Sequence, residues 1–242
     1  DIQEYLISLL EPAYTLYLAS DGEEGIAMAF EHMPDLIVSD VMMPRKDGLE
    51  VCATLKNDER TSHIPIVLLT AKAGVESRIQ GLERGADAYL TKPFSEKELF
   101  IRLEKLIELR RLLQQRYQQI RPSADAVPAA PETGFEQEDA FMGKLQKTVE
   151  DNLNNTDFGP TQLCQAMGMS RSHLHLKIKA LTNRSTSIFI RTIRLHQAKA
   201  LLQQGERNVT QVASAVGFSD LSYFSKKFKE EFGVSPQQML PA

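Results

Sequence analysis

Short apolar runs alternate with longer segments of helical periodicity through the first hundred residues. Runs of strand length that are bounded by polar residues are typical of β-strands, and those without internal polar positions are typical of parallel strands buried on both faces. Strands that alternate with helices predict an α/β fold, a doubly wound parallel sheet with helices on both faces. The predicted strands cover residues 14–20, 36–40, 65–70 and 88–92.

The segments around these strands carry helix start and stop signals. Asp21 and Gly22 open the second predicted helix, and Gly85 ends the fourth. The predicted helices cover residues 1–10, 22–33, 49–57 and 75–84.

A longer helix is predicted from Ser95 to about residue 120. Ser95 and Glu98 have the spacing of a capping box at its start. Apolar residues then recur every seven positions, which indicates a short coiled coil between two chains. The alternative is that the same residues pack on the sheet of their own chain. The repeat is formed by Leu99, Leu106, Leu113 and Ile120, with Leu103 and Tyr117 in the intervening register and Arg110 interrupting it.

The rest of the chain reads as a linker followed by helices alone. Residues 121–134 are rich in proline and alanine, which predicts a linker. After an amphipathic helix over 141–153, a short helix, a glycine turn and a second helix occur twice, with Gly168 and Gly217 at the turns. A connecting helix between the two copies is closed by Gly205. The inner faces of the second helices carry Leu174, Ile178 and Leu181 in the first copy and Phe224, Phe228 and Phe232 in the second.

Charge divides the chain at nearly the same place. Residues 1–140 contain 15 Lys and Arg against 25 Asp and Glu, a balance of −10, and residues 141–242 contain 13 against 7, a balance of +6. The basic half suggests a polyanionic partner. Two cysteines, distant in sequence, do not indicate a disulfide framework or a zinc site and fit a reducing cytoplasm. No apolar run approaches the roughly 20 residues of a membrane helix.

Three of the predicted strands end on residues with complementary chemistry: Asp40, Thr70 and Lys92, the last followed by Pro93. The carboxyl ends of parallel strands meet at one edge of a sheet, where ligands bind in open α/β folds. A carboxylate can attack phosphorus, a lysine can neutralise the added charge and a threonine can hydrogen-bond an oxygen. The trio therefore predicts a phosphoryl site, against the alternative that Asp40 only caps a turn. Pro93 would fix the loop after Lys92, with a cis peptide bond as one option.

Asp40, Thr70 and Lys92 with these flanks resemble the receiver domain of bacterial two-component response regulators. The resemblance implies that Asp40 accepts a phosphoryl group from a kinase histidine with the help of Mg²⁺. It also implies that Lys92 binds the phosphoryl group and that Thr70 and Tyr89 form a switch. Asp40 and the backbone carbonyl of Met42 would be metal ligands.

The start of the chain departs from the receiver pattern. Receiver domains begin with a central strand that ends in an acidic pair of Mg²⁺ ligands, whereas this sequence opens on a predicted helix. We therefore expect the natural polypeptide to continue upstream of Asp1, because a gap in the sheet would leave backbone groups unpaired at roughly 1 to 3 kcal/mol for each lost buried bond.

The two helix-turn-helix copies resemble the DNA-binding domain of the AraC/XylS family of transcription factors. The stretch GFSDLSYFSKKFKEEFGVSP, residues 217–236, is close to the most characteristic part of that family. The resemblance implies that each second helix enters a major groove of DNA, and Leu176 lies on the first outward face where a polar reader is expected. The predicted base-reading residues are Ser172, His175 and Lys179 in the first copy and Ser222, Ser225 and Lys226 in the second.

The whole sequence therefore predicts a receiver domain over 1–120, a linker over 121–135 and an all-α DNA-binding domain over 136–242. The leading function is a phosphorylation-responsive transcription regulator that resembles the C-terminal end of hybrid two-component regulators. Expected partners are double-stranded DNA, a sensor histidine kinase that is separate or lies upstream in the same polypeptide, RNA polymerase, and a second copy of the chain after phosphorylation. No enzymatic activity of its own is expected.

Two other functions are weighed against this prediction. One is a constitutive DNA-binding regulator whose receiver is a non-phosphorylated interaction module, which the absent acidic pair favours. The other is a phosphatase that turns over an aspartyl phosphate. No second carboxylate beside Asp40 is placed to act as acid or base, and Asp47 is more simply a turn residue.

Overall fold

The computed structural model describes residues 2–71, 85–118, 135–205 and 208–241. The chain divides into two compact units, Asp1–Leu113 and Gln114–Ala242, and each is described by itself. The predicted helix 75–84 and the predicted linker 121–134 lie outside the described residues. Within the described ranges, no helix is long and apolar enough to cross a membrane.

The first unit contains a parallel three-stranded sheet, in the order β1-β2-β3, with helices between its strands. Asp40 is level with Leu69, and Thr70 is level with Thr91, so the three carboxyl ends lie at one edge. The predicted α/β class is confirmed. The elements are α1 (Ile2–Leu10), α2 (Gly22–His32), β1 (Ile37–Asp40), α3 (Gly48–Asn57), β2 (Ile66–Thr70), β3 (Ala88–Thr91) and α4 (Glu96–Gln118), whose last turn belongs to the second unit.

The central strand β2 is buried along its whole length, as its apolar run predicts. Its alternating side chains supply two separate apolar clusters, because successive residues of a strand point to opposite faces. One cluster includes Ala29, Val51, Cys52, Leu55, Ile66 and Leu68. The other includes Leu10, Val67, Leu69, Leu90, Leu99, Leu103 and Leu106.

The predicted strand 14–20 is wrong: these residues form no strand in the structure. The side chains of Tyr17 and Leu18 are 53% and 49% exposed. An alternating pattern is a local property, but a strand also needs a neighbour with which to exchange backbone hydrogen bonds. Among the described strands, β1 pairs only with β2, and Ile37 and Val38 are half-buried rather than fully covered.

Three of the heptad residues of α4 face their own sheet. Leu99, Leu103 and Leu106 are at most 7% exposed and belong to the cluster on one face of the sheet. The alternative to a coiled coil is therefore the correct interpretation for these three residues. Arg110, which interrupts the repeat, is also buried, and it donates to the Pro34 carbonyl oxygen at 3.1 Å and pairs with a carboxylate. Leu113 and Tyr117 are buried as well, and Ile120 lies outside the described residues.

The division after Leu113 follows from the contacts of the last turn of α4. Gln114 donates its side-chain amide to the Ala180 carbonyl oxygen at 2.7 Å. Arg116 and Tyr117 both bind the Asp139 carboxylate, at 2.8 and 2.6 Å. Burial and this hydrogen bond raise the pKa of the Tyr117 hydroxyl far above its usual value. The turn is thus anchored within the second unit.

The second unit is entirely helical over its described residues. Gly168 and Gly217 have φ angles of 65° and 77°, which glycine adopts without strain, and both predicted turns are confirmed. The inner faces Leu174, Ile178 and Leu181 and Phe224 and Phe228 are completely buried, and Phe232 is partly buried. The elements are α5 (Glu136–Glu150), α6 (Pro160–Met167), α7 (Arg171–Thr182), α8 (Thr186–Gln204), α9 (Val209–Ala215), α10 (Leu221–Phe232) and a 3₁₀ turn (Pro236–Met239).

Caps in this unit agree with the sequence signals. Ser170 accepts the backbone N–H of His173 at 3.2 Å and caps α7. Asp220 accepts the backbone N–H of Tyr223 at 2.8 Å and caps α10. Gly205 closes α8 with a φ of 74°. The first helix is longer than its predicted apolar stripe at the N-terminal end, since α5 begins at Glu136, and it ends at Glu150 rather than Leu153.

Candidate functional sites

Asp40 and Lys92 are brought into contact at the carboxyl edge of the sheet. The Lys92 ammonium donates to Oδ2 of Asp40, and the backbone N–H of Met42 donates to Oδ1 at 3.1 Å. The two side chains are 27% and 22% exposed, so a reagent can reach the carboxylate while its charge is only partly screened by water. Both carboxylate oxygens thus have a donor, one cationic and one from the backbone.

Strand β3 carries Lys92 to this place. The backbone N–H of Lys92 donates to the Thr70 carbonyl oxygen at 2.8 Å, which holds the residue after β3 against the end of β2. The Lys92–Pro93 peptide bond is cis, as the sequence allowed. Thr70 ends β2 and is buried. Tyr89 is also buried and belongs to the cluster that contains Ile66 and Leu68.

The loop after Asp40 depends on two glycines: Gly22, which the sequence identified only as a helix start, and Gly48, which the sequence did not single out. A Cβ on Gly48 would overlap the backbone carbonyl of Asp40, and a Cβ on Gly22 would overlap that of Lys46. Asp47, interpreted as a turn residue, caps α3 in a reciprocal capping box with Glu50. An aspartate followed by a glycine at a helix start is the sequence signal for such a cap. The close approach of Gly48 to the Asp40 carbonyl keeps the loop next to the end of β1.

A second carboxylate stabilises the same loop. Asp21 caps α2 by accepting the backbone N–H groups of Glu23 and Glu24 at 2.9 and 3.1 Å, and it pairs with Arg45 at 2.7 Å. These hydrogen bonds, that of Glu24 foremost, hold the pKa of the Asp21 carboxyl below its usual value. Asp21 is 3% exposed and therefore has a structural role in this chain.

The residues present do not form a complete Mg²⁺ site. Mg²⁺ prefers near-octahedral oxygen ligands. In the part of the chain that the structure describes, no group of three or more His, Cys, Asp or Glu residues could hold a metal ion. Asp40 and the Met42 carbonyl supply two of the implied ligands at most. Burial raises the pKa of the Cys52 thiol to about 11, so this side chain stays neutral.

The outward face of α7 carries the first set of predicted base readers. Ser172 and Lys179 are exposed. His175 is half-buried, with its Nδ1 atom 3.5 Å from the Thr186 hydroxyl, and Leu176 is half-buried too. By contrast, Lys177 of the same helix is completely buried with its ammonium 4.4 Å from the centre of the Phe141 ring.

The outward face of α10 carries the second set. Ser222 and Lys226 are exposed, and Ser225 is half-buried. The adjacent Lys227 pairs with Glu230 at 2.6 Å, and this bond lowers the pKa of the Glu230 carboxyl. Compared with the exposed Lys226, Lys227 is therefore a poorer candidate for a phosphate contact. Its i, i+3 spacing to Glu230 is a signal that could have shown this.

A tyrosine and an arginine next to this face were missed. Tyr223 is 44% exposed, and its hydroxyl accepts from Arg191 of α8 at 3.2 Å. Arg191, Tyr223 and the cap Asp220 line a cavity of about 310 Å³ beside the start of α10. Aromatic and cationic residues beside a helix start have no fixed sequence spacing, so the sequence alone did not nominate them.

The comparisons with known proteins agree with the two predicted domains. Residues 1–104 match the response regulator receiver domain and residues 163–241 match a helix-turn-helix domain. The chain thus combines a receiver domain with an AraC-type helix-turn-helix domain, and both resemblances found in the sequence are confirmed.

One relative matches across both domains. Histidine kinase P4 of Formosa agariphila is 37% identical over 98% of this chain, which spans 17% of that protein. The transcriptional regulator RpaA of Synechocystis is 45% identical over 42% of this chain and 42% of its own length. The receiver domain of a signal transduction histidine kinase from Syntrophus aciditrophicus is 33% identical, with a TM-score of 0.42 over 44% of this chain and 82% of that structure. The chain therefore spans less than half the length of these two curated relatives.

Proposed function

We propose that this chain is a phosphorylation-responsive, DNA-binding transcription regulator of a two-component system. The observation that carries the proposal is the contact of Asp40 with Lys92 at the edge of a parallel sheet, in a chain that also holds two helix-turn-helix units. A carboxylate beside a cation suits phosphoryl transfer, and paired helix-turn-helix units suit duplex DNA. The names of the histidine kinase and transcriptional regulator relatives support both parts.

In this proposal, a carboxylate oxygen of Asp40 attacks the phosphorus of a phosphohistidine. A P–O bond forms as the P–N bond breaks, and the electron pair leaves with the imidazole nitrogen, which takes a proton from solvent. Lys92, already in contact with Oδ2, offsets the charge of roughly −2 that the phosphoryl group brings. Thr70 then donates its hydroxyl to a phosphoryl oxygen, and Tyr89 responds as the second part of the switch.

The donor is a sensor histidine kinase. The relative that matches 98% of this chain is named a histidine kinase, which supports a kinase within the same polypeptide. The proposed domains are the receiver over 1–120, the linker over 121–135 and the DNA-binding domain over 136–242. Mg²⁺ belongs to the proposal only for an intact receiver, since the described residues supply an incomplete set of ligands.

Phosphorylation is proposed to favour a homodimer. New charge near Lys92 repositions Thr70 and Tyr89 and with them the outer surface of the sheet. Because Leu99 and Leu106 pack on their own sheet, the dimer contact uses a surface other than the predicted heptad. Sedimentation with and without a phosphate mimic tests this, and an unchanged monomer at micromolar concentration would count against it.

The second unit is proposed to bind DNA through α7 and α10 in two successive major-groove segments about 34 Å apart. Replacing His175 or Ser222 relaxes the preference at one base step, at roughly 1 to 3 kcal/mol for a good contact. A DNA-bound regulator of this kind acts on RNA polymerase, which is the remaining proposed partner. A footprint limited to one groove segment would show that only one helix-turn-helix reads DNA.

The acceptor role is tested in an intact receiver, the form to which Mg²⁺ belongs in this proposal, by labelling it with radioactive acetyl phosphate and Mg²⁺. We expect label on Asp40 and none in Asp40→Asn. Asp47→Asn is the matched control, because it changes a nearby aspartate and keeps a residue that caps helices well. Label that survives Asp40→Asn would refute the acceptor role. The constitutive regulator is the second candidate, favoured by the incomplete metal ligands, and it predicts DNA binding that is unaffected by acetyl phosphate.

A further inference from the structure

One arginine joins the two helix-turn-helix units to each other. Arg194 lies near the middle of the connecting helix α8 and is 9% exposed. Its guanidinium donates to the Asn155 and Phe158 carbonyl oxygens, at 2.7 and 3.2 Å, in the segment that leads into the first helix-turn-helix. It also donates to the Gly217 carbonyl oxygen at 3.2 Å, in the turn of the second helix-turn-helix. A single planar group therefore holds both helix-turn-helix copies.

The charge of this group is balanced by backbone dipoles. The described structure shows three carbonyl acceptors for Arg194 and no hydrogen-bond partner for its Nε atom. Burial lowers the pKa of the guanidinium. A buried cation held by carbonyl groups is costly to desolvate, so its retention here points to a geometric role. Arginine suits that role because its donors are fixed in a rigid fork.

The turn of the second helix-turn-helix lies directly against the segment held by Arg194. A Cβ on Gly217 would overlap the Leu153 carbonyl oxygen and lie 3.0 Å from the Arg194 guanidinium carbon. The corresponding Gly168 in the first helix-turn-helix has nothing within 4 Å of such a Cβ. Close packing at only one of two equivalent turns indicates that this contact belongs to the junction between the units.

We propose that Arg194 is a positioning residue that fixes the separation and orientation of the recognition helices α7 and α10. The protein then requires a set number of base pairs between its two DNA segments. This inference rests on the proposed function, in which both units read DNA. One inserted base pair shifts the second segment by about 3.4 Å and rotates it by about 35°. A rigid junction cannot follow that change, and the benefit of binding both segments with one molecule is lost.

The test uses the full chain and a duplex of about 30 base pairs selected from a random library by the unmutated protein. Derivatives of the duplex carry one inserted or one deleted base pair between the two protected segments. We expect these changes to lower the affinity of the unmutated protein at least tenfold. In Arg194→Gln, we expect the same changes to lower affinity less than about threefold, while footprints still show both segments.

Lys199→Gln is the matched control. It removes a charge from the same helix, where the ammonium lies 5.0 Å from the centre of the Phe232 ring and not at the junction. Its spacing requirement should equal that of the unmutated protein. Arg194→Lys keeps the charge but not the planar fork, and it should also relax the requirement. If Arg194→Gln does not fold, as judged by circular dichroism, Arg194→Lys decides.

The outcomes separate this inference from the proposed function. Protection of one groove segment or none by the unmutated protein refutes the reading of DNA by both units. Two protected segments with an affinity that is insensitive to spacing in the unmutated protein overturn the positioning role alone. An unchanged spacing requirement in both Arg194 variants does the same.

Discussion

Alanine substitutions at the two turn glycines should differ in cost, and the difference measures the packing at the junction between the helix-turn-helix units. Gly168 and Gly217 have similar φ angles of 65° and 77°. The left-handed conformation should therefore destabilise an alanine by about 1 to 2 kcal/mol at either position. Only at Gly217 would the new methyl group overlap a backbone carbonyl, that of Leu153. Overpacking of this kind costs a further 1 to 3 kcal/mol, roughly.

We therefore expect losses of about 1 to 2 kcal/mol for Gly168→Ala and about 2 to 5 kcal/mol for Gly217→Ala in the free energy of unfolding. For a domain of this size, each kcal/mol lowers the melting temperature by roughly 3 to 5 °C. Calorimetry of the full chain gives the unfolding transition of the compact unit Gln114–Ala242. Hydrogen exchange at the Val212 and Phe224 amides then shows whether the loss of stability is centred on the second helix-turn-helix.

Gly233→Ala provides a second control, with a φ of 76° and nothing within 4 Å of the new methyl group. Its cost should match that of Gly168→Ala. Equal losses at all three glycines would refute the reasoning, because they would show that backbone conformation alone determines the cost.

Three further outcomes are expected. Asp21 has a lowered pKa in the folded state, so its contribution to stability is present above the usual carboxyl pKa and is lost as pH falls through the lower folded value. The free energy of unfolding should therefore depend less steeply on pH in the acid range in Asp21→Asn than in the unmutated protein. An unchanged slope would contradict this. Leu103→Ala should cost about 2 to 5 kcal/mol in urea unfolding, whereas Ile101→Ala, at a position 50% exposed, should cost little; the reverse order would contradict the packing of Leu103 on its own sheet. Lys226→Gln should reduce the slope of log affinity against log salt by about one, and Lys227→Gln by less, because Lys227 is already paired with Glu230.

Patterns with a single physical origin predicted the fold well. The run at 65–70 has no polar interior position, and it forms the strand that is buried on both faces. The alternation at 14–20 equally resembles a strand, but pairing depends on a neighbour that a local pattern cannot show. The repeat through Leu99 and Leu106 was ambiguous for another reason: a heptad and an ordinary amphipathic face differ by only about 20° per seven residues.

The candidate sites were predicted in part. The proximity of Asp40 and Lys92 could be predicted from the sequence because the carboxyl ends of parallel strands lie at a common edge of the sheet. Arg194 could not, because an arginine between Ile193 and Leu195 has no sequence signature for three carbonyl acceptors in two distant segments. Lys226 and Lys227 are adjacent residues of the same type, and the ion pair of Lys227 with Glu230 distinguishes them in the structure.

The last turn of α4 has a consequence for anyone who recombines these modules. A chimera joined within residues 121–135 would carry Gln114, Arg116 and Tyr117 with the receiver to a foreign DNA-binding domain. The DNA-binding domain left behind would then lack the hydrogen bonds that these side chains make to Asp139 and to the Ala180 carbonyl oxygen. A junction at Leu113 keeps those three side chains with the helices they bind, so the natural seam for grafting lies inside a helix and not in the proline-rich stretch.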